Sequence, residues 1–464
     1  MSVPDRVWQD PSVTAALADW DFGTAFRLIR QIATLRQEDM AAITGLSQSF
    51  LSTLESGARR LVNIEKIIIV LDRLGVPPQV SPSPRPSAQH SAHDSAWSPA
   101  PAWESPLDIA KRLNSTTSTN IDPTTVALLE QGIAELVGRY EAEGPHRLAP
   151  EAVDLRNYVQ QQLNGRQPPR QREALFRLAA QASGLLGYMA VNAGREAVAE
   201  AYCKEAEGLA TEIGDREVLM WTHGTRSLNA YYAGRYQQAV QWADAGLAIE
   251  PSHPQAIRLQ SNGRARALGK LGDRTGAERA IASAEELSDR HLVPVGLTSC
   301  ISFEPYGKAR TLANAATAHV SLGDAPRVLA YANQIDSLVE ESDSAWSRAL
   351  VRLDVATALL SGPHPEVEHA MVLGHQVLKA GGGPLIRSVV QRAGELHDRA
   401  EAWRELTAVR EYGDALRSWQ STPHTRDLAL SASMARQSKR TKEAVDEAQG
   451  RSGGVSSDAS PQYY

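Results

Sequence analysis

Cysteine is nearly missing from this 464-residue chain, which has only Cys203 and Cys300. Two thiols cannot build a disulfide framework or complete a zinc site alone. No run of eighteen apolar residues occurs, so no membrane span is expected. The opening MSVPDRVWQDPSV lacks the basic, apolar and small-residue succession of a signal peptide, and a cytoplasmic location is expected. Catalytic and metal-binding patterns are also scarce. AGGGPL at 380–385 follows no strand and precedes no Lys-Ser/Thr pair, so it reads as a helix break rather than a phosphate loop. His369 and His375 lie six apart and do not share a helix face with each other, and no HExxH is present near them or His364. Cys203 falls on a helix-packing register and reads as core. Cys300 sits in a long gap with nothing in sequence to activate it. The chain is read as a non-enzyme with no metal and no cofactor.

What is present is helical. The net charge is −6, against coating nucleic acid along the whole length. Residues 23–76 run the other way, with seven basic and five acidic side chains, which suits a small phosphate-contacting module. Composition divides the chain into five parts. Residues 1–22 are an N-terminal extension, and 23–78 are dense in Ile, Leu and Val at helical spacing. Residues 79–106 are rich in Pro, Ser and Ala and cannot bury enough surface to fold. As a flexible linker they would span roughly 30 Å. Residues 107–420 are Ala- and Leu-rich with helical period, and 421–464 form a polar tail expected to be disordered.

The long helical region repeats. Gly194, Gly234, Gly272, Gly323 and Gly362 each separate two helical stretches, at spacings of 40, 38, 51 and 39. Five residues after each glycine stand Ala199, Ala239, Ala277, Val328 and Val367. Twelve after stand Ala206, Gly246, Ala284, Ile335 and Gly374. Small residues at fixed places let antiparallel helices approach closely and pairs stack. Each glycine would take the left-handed conformation that ends the first helix. Segments 123–141 and 150–164 add a helical pair in front. The pattern resembles the tetratricopeptide repeat (TPR), best in the second unit with Gly234, Ala239, Gly246 and Pro251 in register. The first aromatic and leucine of that motif are mostly missing, so the region is TPR-like and degenerate. A generic all-α bundle is the alternative.

The stretch LRQEDMAAITGLSQSFLSTLESG, residues 35–57, carries the most specific signal. Gly45 ends one helix and Ser47 can cap the next. On that second helix Phe50, Leu51 and Leu54 share one arc, and Gln48, Ser49, Ser52 and Thr53 the opposite one. Helix, glycine turn, helix is the arrangement that sets a second helix into a DNA major groove. A glutamine at its front can bond adenine at two atoms. The larger stretch, from Arg30 through RQEDMA, Gly45-Leu46-Ser47, LSTLESG and Arg59 to Leu74-Gly75-Val76, resembles the XRE or Cro/repressor-type helix-turn-helix family. The resemblance implies a five-helix λ-repressor-like domain. By position, Gln48, Ser49, Ser52 and Thr53 would face bases, and Arg36, Gln37 and Arg59 phosphates. Arg36 stands where a capping Ser or Thr is expected, which loosens that helix start by about 1 kcal/mol. RLVN replaces the usual proline-serine after Arg59.

The expected fold is therefore all-α: helix-turn-helix domain, linker, TPR-like solenoid. Projecting TPR inner-face positions onto the repeats gives Tyr188, Asn192, Trp221, Tyr232, Asn262, Arg266, Arg310, Asn314 and Arg352 as an effector or partner groove. Asn and Arg there could hold an extended peptide. This combination resembles the peptide-responsive RRNPP-type regulators and implies a transcription regulator on double-stranded DNA, with a peptide or protein effector and a homodimeric state. The alternatives are a solvated concave face without a ligand, and an adaptor whose helix-turn-helix-like domain docks a protein and does not read DNA.

Overall fold

A computed structural model of the chain describes residues 3–61, 64–81, 104–342, 344–380, 385–423 and 425–430. Among these no strand occurs. The chain divides into two compact units, Met1–Trp103 and Glu104–Tyr464. Most of the expected linker, most of the expected tail and the glycine run 381–383 lie outside the described residues.

The front unit opens with a 3₁₀ turn, Asp5–Gln9, followed by α1 (Pro11–Ala18), α2 (Phe22–Ile32), α3 (Gln37–Thr44), α4 (Gln48–Glu55) and α5 (Ile64–Leu74). Polar caps start three of them. Asp10 accepts from Ser12 N at 2.9 Å, Asp21 from Thr24 N at 3.1 Å and Ser47 from Phe50 N at 3.3 Å. The extension packs onto the domain from residue 3 onward. Val7, Val13 and Leu17 are fully buried in one core with Phe26, Ile29, Met40, Leu51 and Leu54. Five helices are present, and one of them lies ahead of residue 23, in the segment expected to be an extension. The first is α1, and the described residues between α4 and α5 form a turn. Gly57 there adopts φ 77°, and Ala58, Arg59 and Arg60 are exposed, while Leu61 is buried in the core.

The second unit begins with α6 (Pro106–Thr117), which buries none of its residues. The paired helices follow. They are α7 (Pro123–Glu143) with α8 (Pro145–Leu163), α9 (Pro169–Asn192) with α10 (Glu196–Ile213), and α11 (Arg216–Tyr232) with α12 (Tyr236–Ile249). Next comes a continuous rod of α13 (Ala256–Arg258), a π-helical stretch (Leu259–Ala265) and α14 (Arg266–Leu271), paired with α15 (Arg274–Arg290). The last pairs are α16 (Lys308–Ser321) with α17 (Ala325–Glu340), α18 (Ala345–Ser361) with α19 (Val367–Lys379), and α20 (Arg387–Arg399) with α21 (Thr407–Ser421). The front pair is longer than expected, because α8 starts at Pro145 rather than at 150. Residues 425–430 are helical and bury Thr425 and Leu428, so the folded region extends past 420.

The registers of small residues carry the packing. Ala199, Ala239, Ala277 and Val328 are fully buried, and a Cβ on Gly246 would stand 2.8 Å from Leu259 Cδ1. Four of the five turn glycines take φ between 69° and 79°. Gly362 does not; it is extended at φ −77°, ψ 170°. Pro363 follows it, and a residue before proline is driven out of helical conformations.

The first helices of the pairs do not form an open arc. Contacts run from α9 to α11, to the π stretch and α14, to α16, α18 and α20, and from α20 back to α9. This closed ring buries its helices on nearly all sides, which is why α9 is apolar enough to pass by length and composition for a membrane span while 78% of that window is buried. The 51-residue spacing also finds its place here. Its extra chain, residues 291–307, turns back onto the ring. Trp221 Nε1 donates to Ser302 O at 2.7 Å, Cys300 N to Glu141 Oε1 at 2.8 Å and Ser299 Oγ to Val137 O at 3.2 Å. Tyr140 of α7 meets Trp346 of α18 edge-on at 5.2 Å. The open inner groove expected of a solenoid is thus occupied by the protein's own chain.

Candidate nucleic-acid interface and ring cavity

In the front unit, α3 and α4 are joined by Gly45-Leu46-Ser47. Gly45 sits at φ 73°, closing α3 through its N–H to Ala41 O at 2.9 Å. Arg36 cannot cap α3 with its side chain, but Asp39 Oδ2 accepts from Arg36 N at 2.9 Å and recovers half of a capping box. On α4 the two faces separate as the pattern predicts. Leu51, Leu54 and Glu55 are buried, and Gln48, Ser49 and Ser52 are exposed. Thr53 is half-buried and its hydroxyl donates to Phe50 O at 2.9 Å, so its polar group serves its own helix. Arg36 and Arg59 are exposed at either side. Gln37 is engaged internally, its Nε2 donating to Glu55 Oε2 at 3.2 Å.

That glutamine belongs to a buried polar cluster which sequence reasoning missed. Arg30 Nε and Nη2 each donate to a Glu55 carboxylate oxygen at 2.9 Å, tying α2 to the last turn of α4. Burial alone would raise the Glu55 carboxyl. The bonds from Arg30 and Gln37 and the Arg30 charge outweigh it and hold the group below its ordinary value. A Cβ on Gly23 would lie 2.3 Å from Leu54 O, so α2 also crosses α4 with no room to spare.

Residues 21–81 match the family model described as a helix-turn-helix domain. The front unit carries a helix-turn-helix domain. No curated protein matches the chain. Within the helix-turn-helix domain, Thr34 ends α2 at φ 57°, an uncommon and costly conformation for a β-branched residue. Leu35 N donates to Arg30 O at 2.9 Å across this turn, so the backbone holds the left-handed state regardless. Thr34→Gly is expected to stabilise the domain by about 0.5–1 kcal/mol, after allowing for the greater freedom of glycine in the unfolded chain. Slower amide exchange through α2 in the full chain would show it; unchanged exchange would mean the turn is not strained.

The ring surrounds a partly open cavity of about 70 Å³. Seven of the nine residues projected onto an inner face line it: Tyr188, Asn192, Tyr232, Asn262, Arg266, Arg310 and Asn314. Trp221 and Arg352 do not. Trp221 is fully buried behind the wall on Ser302, and Arg352 pairs with Glu340 at 2.8 Å near the surface. The structure adds residues the repeat pattern could not supply. Glu141 comes from α7, Asp354 from α18 and Arg392 from α20, outside the projected set.

Two ion pairs brace the wall. Glu141 meets Arg310 at 2.8 Å, and Asp354 meets Arg392 at 2.7 Å, with Thr317 Oγ1 donating to Asp354 at 2.7 Å. Burial would raise Glu141, yet the Arg310 charge and bonds from Ser344 and Cys300 hold it low. Asn192 Nδ2 donates to Tyr140 Oη at 2.7 Å. Burial pushes the Cys300 thiol up to about 12, with Glu141 adding to it. At neutral pH this sulfur is not a nucleophile. Cys203 is fully buried against Gly187, as its register implies. Among the described residues no group of three His, Cys, Asp or Glu side chains could hold a metal ion.

Proposed function

We propose that the protein is a sequence-specific, XRE-type transcription regulator acting in the cytoplasm without enzymatic activity. Its TPR-like ring senses an effector or joins two chains, placing two helix-turn-helix domains on half-sites about one or more helical turns apart. The observation that carries the DNA reading is the division of α4. Its buried face is locked by Leu51, Leu54 and the Arg30–Glu55 pair, and its outer face presents Gln48, Ser49 and Ser52 to solvent. A helix held on one side with short polar groups on the other suits base-edge contacts. Arg36 and Arg59 flank it for phosphates.

The test is binding of the full chain to a duplex selected from a random pool, at fixed salt. Gln48→Ala is expected to weaken specific binding by about tenfold or more, since a good two-bond base contact contributes about 1–3 kcal/mol of discrimination. Ser52→Ala should add a smaller loss. Arg59→Ala should weaken all duplexes alike and lower the salt slope by about one. Wild-type affinity and specificity in both Gln48→Ala and Ser52→Ala would exclude α4 as the reading helix.

A further inference from the structure

The cavity at the centre of the ring contains a charge that the protein does not balance. Five of its lining residues are charged: Arg266, Arg310, Arg392, Glu141 and Asp354. Arg310 is matched by Glu141 and Arg392 by Asp354. Arg266 has no carboxylate within 4 Å among the described residues, although it is only 2% exposed. Its Nη2 reaches Tyr232 Oη at 3.2 Å, its guanidinium lies 4.3 Å from the Tyr231 ring centre, and its Nε has no hydrogen-bond partner. Lys270, outside the cavity lining, is itself paired with Glu395 at 3.0 Å. Two more buried arginines, Arg258 and Arg387, likewise have no carboxylate within 4 Å and have an unpartnered Nε. Interior positive charge is therefore in surplus. A buried ion without a counter-ion costs several kcal/mol, and proteins retain one where something else supplies the opposite charge.

The rest of the wall narrows the identity of that partner. Arg266 follows directly on the π-helical stretch Leu259–Ala265, which contributes Asn262 to the same cavity. Such interruptions of helical pitch are frequent at functional sites. Asn262 and Asn314 stand beside each other, with Nδ2 to Oδ1 at 3.4 Å. Leu228, Leu350 and Ile386 line the cavity with apolar surface. A volume of 70 Å³ is about half that of a cavity that accepts benzene, so the occupant has about three to five non-hydrogen atoms. A peptide is far too large. Arg266 is the one unmatched charge among the residues that line the cavity, and a single positive charge there matches a monoanion better than a phosphate dianion. A planar guanidinium pairs with a planar carboxylate through two parallel bonds, and the apolar wall receives a short hydrocarbon stem. The field inside already favours negative charge. Burial would raise the Tyr232 phenol, yet Arg266 and Arg392 pull it below its ordinary value.

We propose that the ring cavity is a binding site for a small monocarboxylate, its carboxylate on Arg266 and its short apolar end against Leu228, Leu350 and Ile386. This names the effector class of the regulator proposed above and rests on that reading for its consequence, though not for the binding itself.

The experiment uses the purified full chain without DNA. Acetate, propionate and acrylate are titrated by saturation-transfer NMR and by thermal midpoint, with chloride at matched ionic strength, inorganic phosphate and neutral propionamide as comparisons. Saturable binding of at least one of the three carboxylates is expected, with propionamide and phosphate at least tenfold weaker. Arg266→Gln should weaken binding at least tenfold and leave the unliganded midpoint equal or higher, since it removes an unmatched buried charge. Arg266→Lys, which keeps the charge without the planar fork, should bind to an intermediate extent. Arg352→Gln, outside the cavity, should bind as wild type. Absence of saturable carboxylate binding to the wild-type chain overturns the proposal, and so does undiminished binding in a folded Arg266→Gln variant. The NMR titration of the wild-type chain decides the matter even if that variant fails to fold. Carboxylate binding that persists while Gln48→Ala and Ser52→Ala both leave DNA binding untouched would sink the DNA reading and keep this site. The reverse pattern would do the opposite.

Discussion

Glu55→Ala should loosen α4 by about 3 kcal/mol, at the low end of the range for breaking a buried ion pair. Glu55 is 7% exposed and accepts three bonds, two from Arg30 and one from Gln37. Removing it leaves the Arg30 guanidinium behind, and at 26% exposure that group regains part of its hydration. The measurement is amide exchange of residues 48–55 in the full chain. A loss of about 3 kcal/mol corresponds to roughly a hundredfold faster exchange if the domain opens as a unit. Specific DNA binding should fall with it, although Glu55 faces inward and touches no base. The pH dependence has a fixed sign. Glu55 has a folded-state value below its unfolded one, so its contribution is complete above the ordinary glutamate range near ~4.3 and is lost as pH falls through the lowered value. The gap between wild type and Glu55→Gln should accordingly shrink in acid. A gap independent of pH would mean that packing, not the ion pair, holds α4.

Glu141→Ala should have a comparable or larger effect on the second unit, about 3–5 kcal/mol. Glu141 and Arg310 are 14% and 11% exposed, and they join residues 169 apart in sequence. The same carboxylate also accepts from Cys300 N, which anchors the returning segment 291–307. Its loss strands Arg310 inside the ring beside an already unmatched Arg266. Exchange protection should drop in 292–307 and in the adjoining turns of α7 and α16, and limited proteolysis should cut within that segment. Arg352→Ala is the contrast. It breaks only the near-surface pair with Glu340 and should cost no more than about 1 kcal/mol. Equal effects from the two substitutions would show that the Glu141 pair does not hold the ring closed.

These two pairs mark the boundary of what could be read from the chain alone. The helix-turn-helix was legible because its signals are local. Gly45 and Ser47 punctuate two helices, and the period of Leu51 and Leu54 places Gln48 and Ser52 opposite. The repeat glycines and their small-residue partners were legible for the same reason, with Gly362 displaced by the proline that follows it. That the N-terminal extension packs into the core was not legible, because Val7, Val13 and Leu17 are too few and too irregularly spaced to announce a core position. Only their neighbours on α2 and the later helices make them one. Gln37 and Thr53 were assigned to DNA by position. The tertiary structure turned Gln37 toward Glu55, and a local bond within α4 holds the Thr53 hydroxyl on Phe50 O.

Local periodicity and turn chemistry determined from the sequence alone that the protein is all-helical, where the helix-turn-helix and the turn glycines of the repeats fall, and which face of α4 is polar. Only the tertiary structure decided that the repeats close into a ring, that residues 291–307 fill the groove expected to be open, and that Arg266 is left facing a small cavity without a counter-charge. The reason is that periodicity reports each helix's own burial pattern, whereas ring closure and charge balance arise from side chains tens to more than a hundred residues apart, whose pairing no spacing encodes.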